Sequence, residues 1–259
     1  MVKGLDVFRE WFAAYADQYV LIGGTAASLT MEENALEFRA TKDLDIVLHV
    51  EALTPAFGQT FWAFIEAGAY EIRQVSGTGK PAFYRFQKPA DQRFPVMLEL
   101  FARAPDALRP ISSGHLTPIP FEDAVSSLSA ILLNDIYYAF IMDGAKNTDG
   151  LSWVRADRLI PLKAVAWLEM TDRKQQGEHI DAKSIRKHVN DILRLSQLFT
   201  AATSIPLADS IKEDMRRFLR VVAADISIDP QVLNLGSVSL NEILERIAHA
   251  YGLEGTAAS

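Results

Sequence analysis

The chain has 259 residues, 49% of them hydrophobic, with a formal charge of −7 and no cysteine. This apolar content supports one large core or two small ones, and the lack of thiols excludes a disulfide framework and a thiolate metal centre. The mildly acidic balance does not announce a nucleic-acid binder, although a local basic patch can oppose the net charge.

The predicted elements begin with a helix over residues 5–17, where Leu5, Phe8, Phe12 and Tyr15 recur at helical spacing. The amphipathic N-terminal stretch carries acids early and does not read as a signal peptide. An apolar strand, Tyr19 to Ile22, then stops at Gly23-Gly24 and leads into a small-residue helix over roughly 25–33. A polar loop with Arg39, Thr41 and Lys42 precedes a second apolar run headed by Asp43 and Asp45. Two glycines after a strand let a backbone approach a phosphate with no Cβ in the way. Residues at i and i+2 of a strand point the same way, so Asp43 and Asp45 project side by side. Two such carboxylates repel unless a cation lies between them, and Mg²⁺ bridging to phosphates is the usual solution. Each feature alone has a plain alternative, a turn for the glycines and a solvated strand edge for the aspartates.

Pro55 starts the next predicted helix, with Phe57, Phe61, Phe64 and Ile65 as core residues. Residues 70–88 read as strands around the turn Ser76 to Lys80, which lacks the P-loop spacing. Residues 94–101 form an apolar strand in which Glu99 is the one charge. A mid-strand charge is costly unless it is paired or binds metal, so Glu99 is either a metal ligand or the partner of a cation such as Arg103. Residues 104–122, with four prolines and His115, read as a connection plus a short strand. From Asp123 to Met142 one long helix is expected, then a loop from Gly144 to Gly150, then helices. The domain boundary is placed at 120/121, mixed α/β before it and all-α after it. The longest apolar run, Ala130 to Met142, is broken by Asn134 and Asp135 and falls short of the ~20 residues of a membrane span. The expectation is a soluble, cytoplasmic protein with no membrane association.

In the helical half, Pro161 suits a helix start, and Lys163 just inside it opposes the macrodipole unless an anion is near. Asp181 suits the cap of a further helix whose buried stripe is Ile185, Val189, Ile192, Ser196 and Phe199. Lys183, Lys187, Asp191 and Arg194 fall along another line, and Lys187 with Asp191 fits a surface ion pair.

The series Ile22-Gly23-Gly24, then Asp43-Leu44-Asp45-Ile46, resembles the nucleotidyltransferase superfamily that includes DNA polymerase β. The gap between glycines and aspartates is longer than in its commonest members and matches a subset in which a full helix and an Arg-x-Thr segment intervene. Lys163-x-x-Ala166, a polar gap with Arg173 and Lys174, then Lys187-His188-x-x-Asp191 is similar to the AbiEii/AbiGii-type nucleotidyltransferase toxins. The resemblance spans roughly residues 15–200 and departs from the family where Thr25 stands for the usual serine beside the glycines. It implies an α+β fold, a mixed sheet with flanking helices followed by an all-α half. It implies Mg²⁺ or Mn²⁺ held by Asp43 and Asp45, with Glu99 as the third carboxylate. Gly23, Gly24, Thr25, Arg39, Thr41, Lys42 and Lys187 (or His188) would bind the NTP, and Lys163 and Asp191 would face it as further catalytic residues. The implied activity is transfer of an NMP to a tRNA end or a protein hydroxyl by a toxin or phage-defence component with a cognate antitoxin. A nucleotide-binding regulatory module without turnover is the alternative, and a purely structural helical protein the third.

Overall fold

The computed structural model describes residues 2–72, 83–101 and 134–253. The turn at 76–80, Arg103, the proline-punctuated connection with His115, and residues 254–259 lie outside them. The chain divides into two compact units, Met1–Arg155 and Ala156–Ser259.

Among the described residues, the first unit is built on a seven-stranded mixed sheet in the order β3-β4-β5-β2-β1-β7-β6. Its strands are β1 (Tyr19–Ile22), β2 (Asp43–Leu48), β3 (Glu71–Ile72), β4 (Phe83–Gln87), β5 (Met97–Phe101), β6 (Ala145–Thr148) and β7 (Leu151–Val154). β1 runs antiparallel to β2 and parallel to β7, and β2 runs parallel to β5. Residues opposite each other in register share a face. One face therefore carries Tyr19, Leu21, Leu44, Ile46, Leu48, Leu98, Leu100 and Phe86, all buried. Helices α1 (Leu5–Phe12) and α3 (Pro55–Ala67) supply the aromatics packed there. Phe8 meets Tyr19 edge-on at 5.3 Å, Phe61 meets Phe86 at 5.5 Å, and Phe12 lies 5.3 Å from Phe64. Each such side chain contributes roughly 1.5–3 kcal/mol by leaving water. As expected, these rings are core, and the Thr54 hydroxyl and Pro55 begin α3.

The opposite face is open toward one end, where Asp43, Asp45, Arg85, Gln87, Met97 and Glu99 are all half-buried. Between β1 and β2 runs α2 (Gly23–Glu33), which starts directly where β1 ends.

Of the helix expected over 123–142, residues 123–133 lie outside the described residues; within them it is α4 (Asp135–Asp143), with the Asn134 side-chain oxygen accepting the Ile136 and Tyr137 amides. Two expectations are revised. The expected loop 144–150 is the hairpin β6–β7, closed by Asp149-Gly150 with both residues at positive φ. A two-residue turn of that geometry matches the strand twist. Because β7 pairs with β1, this hairpin belongs to the first unit, and the division falls after Arg155 instead of at 120/121.

The second unit is helical: α5 (Ala156–Gln175), α6 (Ala182–Leu195), α7 (Asp209–Ala224) and α8 (Leu240–Ala250). Trp167 packs edge-on to Phe218 at 5.5 Å and Phe199 to Tyr251 at 5.6 Å. Asp181 caps α6, accepting the Lys183 amide, and Ser239 with Glu242 forms a reciprocal capping box on α8. Pro161 does not start a helix. It lies within α5, so Lys163 is an interior residue and the macrodipole argument for it lapses. Among the described residues no helix is long and apolar enough to cross a membrane.

Candidate functional site

The glycine pair and the aspartates come together in the first unit. β2 alternates strictly over its first four residues, with Leu44 and Ile46 buried and Asp43 and Asp45 half-buried. In register, Ile22 stands opposite Asp45, which brings the end of β1 and Gly23 beside that carboxylate. Gly23 has φ +65, and a Cβ there would overlap Asp45 Oδ2 and lie 2.8 Å from Asp45 Cγ. At Gly24 a Cβ would lie 2.8 Å from Thr41 Oγ1 and 3.2 Å from Arg39 Nη2. The absent side chains of both glycines thus leave room for the chain's own polar groups, Asp45 at one and Thr41 with Arg39 at the other. Sequence reading assigned that room to phosphate and missed the direct seating of Asp45.

Thr25 takes a different part from the one expected. It is fully buried, and its hydroxyl donates to the Asp43 backbone carbonyl at 2.9 Å. It fastens the first turn of α2 to the head of β2, and a hydroxyl so enclosed does not reach a phosphate. Thr41 is buried as well, Arg39 is half-buried with its guanidinium 5.4 Å from the Phe38 ring centroid, and Lys42 is exposed.

Glu99 stands opposite Asp45 in the parallel pair β2–β5, on the open face. Its carboxylate is held by Arg85, the residue opposite it on β4. Arg85 Nε donates to Oε1 at 2.7 Å, and Nη2 donates to the same oxygen. Arg85 is thus a cation partner of the kind anticipated for Glu99, while Arg103 lies outside the described residues. Among the described residues no group of three His, Cys, Asp or Glu side chains is arranged to hold a metal ion. Asp43 and Asp45, two carboxylates side by side on one half-buried face, are donors of the kind that could hold a hard cation. An ion there would complete its shell from phosphate oxygens and water, as Mg²⁺ commonly does.

In the second unit, Lys163 Nζ donates to Asp191 Oδ2 at 2.9 Å, joining α5 to α6. Their side chains are 5% and 0% exposed. The surface pair expected between Lys187 and Asp191 is thereby corrected: Asp191 is buried against Lys163, while Lys187 is exposed. His188 is half-buried. A separate groove of about 260 Å³ is lined by residues including Trp167, Lys174, Arg186 and Val232, and by none of the predicted site residues.

The chain is thus an α+β protein with a mixed open sheet in one unit and helices in the other. No family model matches it, and neither does any curated protein or solved structure.

Proposed function

We propose that the chain is a metal-dependent nucleotidyltransferase that moves an NMP from an NTP to a hydroxyl of an RNA end, such as that of tRNA, or of a protein. The observation that carries this reading is the seat of Asp45 against Gly23, with Asp43 two residues back on the same half-open face. A divalent ion bound by these carboxylates would withdraw charge from the phosphates and favour pyrophosphate as leaving group. The acceptor oxygen attacks the α-phosphorus in line, the bond to the bridging oxygen breaks, and the hydroxyl proton passes to a carboxylate of β2. Arg39, beside Gly24, and the exposed Lys42 offset phosphate charge, and Thr41 shapes the same corner. Thr25 positions β2. Lys163 and Asp191 enter as a brace between helices, since both are buried against each other. A toxin or phage-defence role with an antitoxin partner follows only from the family resemblance.

The second reading, a nucleotide-binding module without turnover, is favoured by one observation, the engagement of Glu99 by Arg85. The two are separated by incubating total RNA and protein with each labelled NTP and Mg²⁺ or Mn²⁺, using wild type, Asp43→Ala and Asp45→Ala. The expected result is a labelled product from wild type alone. Binding without product favours the module, and absence of nucleotide binding ends both readings.

A further inference from the structure

Asp45, Glu99 and Arg85 occupy one rank across β2, β5 and β4, on the open face of the sheet. Adjacent strands lie about 4.8 Å apart, so Glu99 adds a like charge beside the Asp43–Asp45 pair. Unopposed, that third charge would repel an incoming polyphosphate. Arg85 leans from β4 toward β5, with Nε and Nη2 both on Glu99 Oε1. Its side chain remains 30% exposed, against 18% for Glu99, so water reaches the arginine more than the carboxylate that holds it. Guanidinium donors in a fixed fork suit phosphate oxygens, and a carboxylate on one edge holds the plane of the fork in place.

We infer that Arg85 is a polyphosphate-contacting residue and that Glu99 is its positioning residue, not a metal ligand. The inference rests on the nucleotide site proposed above and deepens it. The bound anion is flanked by Arg39 at the Gly24 end and by Arg85 at the β4 side, and the metal requirement is carried by Asp43 and Asp45 alone.

The test is calorimetric titration of the full chain with the four NTPs and the matching NMPs, over a range of Mg²⁺, for wild type, Arg85→Gln, Arg85→Lys and Glu99→Gln. Arg85→Gln is expected to weaken NTP binding about tenfold or more, as loss of a charged hydrogen bond does. NMP binding should change much less, and the Mg²⁺ midpoint should stay in place. Arg85→Lys keeps the charge but not the fork, and should recover only part of the loss. Glu99→Gln should lower NTP preference over NMP while leaving the Mg²⁺ midpoint unmoved. Thermal melts separate these effects from unfolding, and if Arg85→Gln does not fold, Arg85→Lys and Glu99→Gln carry the comparison. Equal NTP binding by wild type and the Arg85 variants overturns the inference and leaves the site standing. So does a higher Mg²⁺ requirement in Glu99→Gln with normal nucleotide preference in the Arg85 variants, which would make Glu99 a metal ligand. Wild type that binds no NTP removes the site and the inference together.

Discussion

Gly23 is the residue on which the site geometry turns. Its backbone is left-handed, and the place where a Cβ would stand is taken by Asp45, with Oδ2 overlapping it and Asp45 Cβ at 3.2 Å. Alanine there carries a backbone penalty of about 1–2 kcal/mol for the left-handed conformation and must also push the carboxylate away. The two terms separate in a double-mutant cycle. In urea melts Gly23→Ala should lose more than the backbone penalty in wild type. In an Asp45→Ala background its cost should fall toward the backbone part, because the oxygen that clashes is gone. Strictly additive losses would show that Asp45 is not seated against Gly23.

At the scale of elements, α5 contains a proline in its interior without ending there. Pro161 has no N–H, so the carbonyl four residues earlier, that of Asp157, loses its helical donor. The Tyr251 hydroxyl supplies one at 2.8 Å. Burial pushes the Tyr251 pKa well above its ordinary value, so the group stays protonated and donates. Tyr251→Phe should therefore cost about 0.5–1.5 kcal/mol, the net worth of one hydrogen bond. Pro161→Ala in the same chain should shrink that cost, since alanine brings an amide back to the carbonyl. An undiminished cost in the double variant, read from urea melts, would rule out this substitution of one donor for another. The same helix shows why parts of the fold were hard to read in advance. Pro161 looks like a helix start because the donor replacing its amide lies far away in sequence. Strands β1, β2 and β5 were legible because each combines a buried apolar side with a break in composition. The β6 segment, Ala-Lys-Asn-Thr, has no apolar alternation and is a strand only through its pairing with Leu151–Val154. The signal available for it was Asp149-Gly150, a two-residue hairpin turn, which passed as loop. In the site, the gathering of Gly23, Gly24 and Asp45 followed from strand–turn–helix spacing. The partner of Glu99 did not, because it depended on the register between β4 and β5.

For the whole molecule, two separate cores fit the apolar content of the chain, and they divide the charged residues of interest between them. Asp43, Asp45 and Arg39 belong to the first unit, Lys163 and Asp191 to the second. Sequence spacing fits both chemistry and packing for Lys163 and Asp191, and their mutual burial favours packing. A buried ion pair that loses one member leaves an uncompensated charge, at a cost of about 3–5 kcal/mol, whereas replacing both members by apolar groups of similar size is often neutral. Lys163→Ala and Asp191→Ala should each destabilise the chain by about that amount in urea. The double variant Lys163→Met/Asp191→Leu should recover most of the loss. It should also keep the nucleotide-induced rise in melting temperature, because the brace is restored in another form and the carboxylates of β2 are untouched. A double variant that folds like wild type but gains no stability from NTP would return Lys163 and Asp191 to the nucleotide site that the family resemblance gave them. The brace would then be only part of what that pair does.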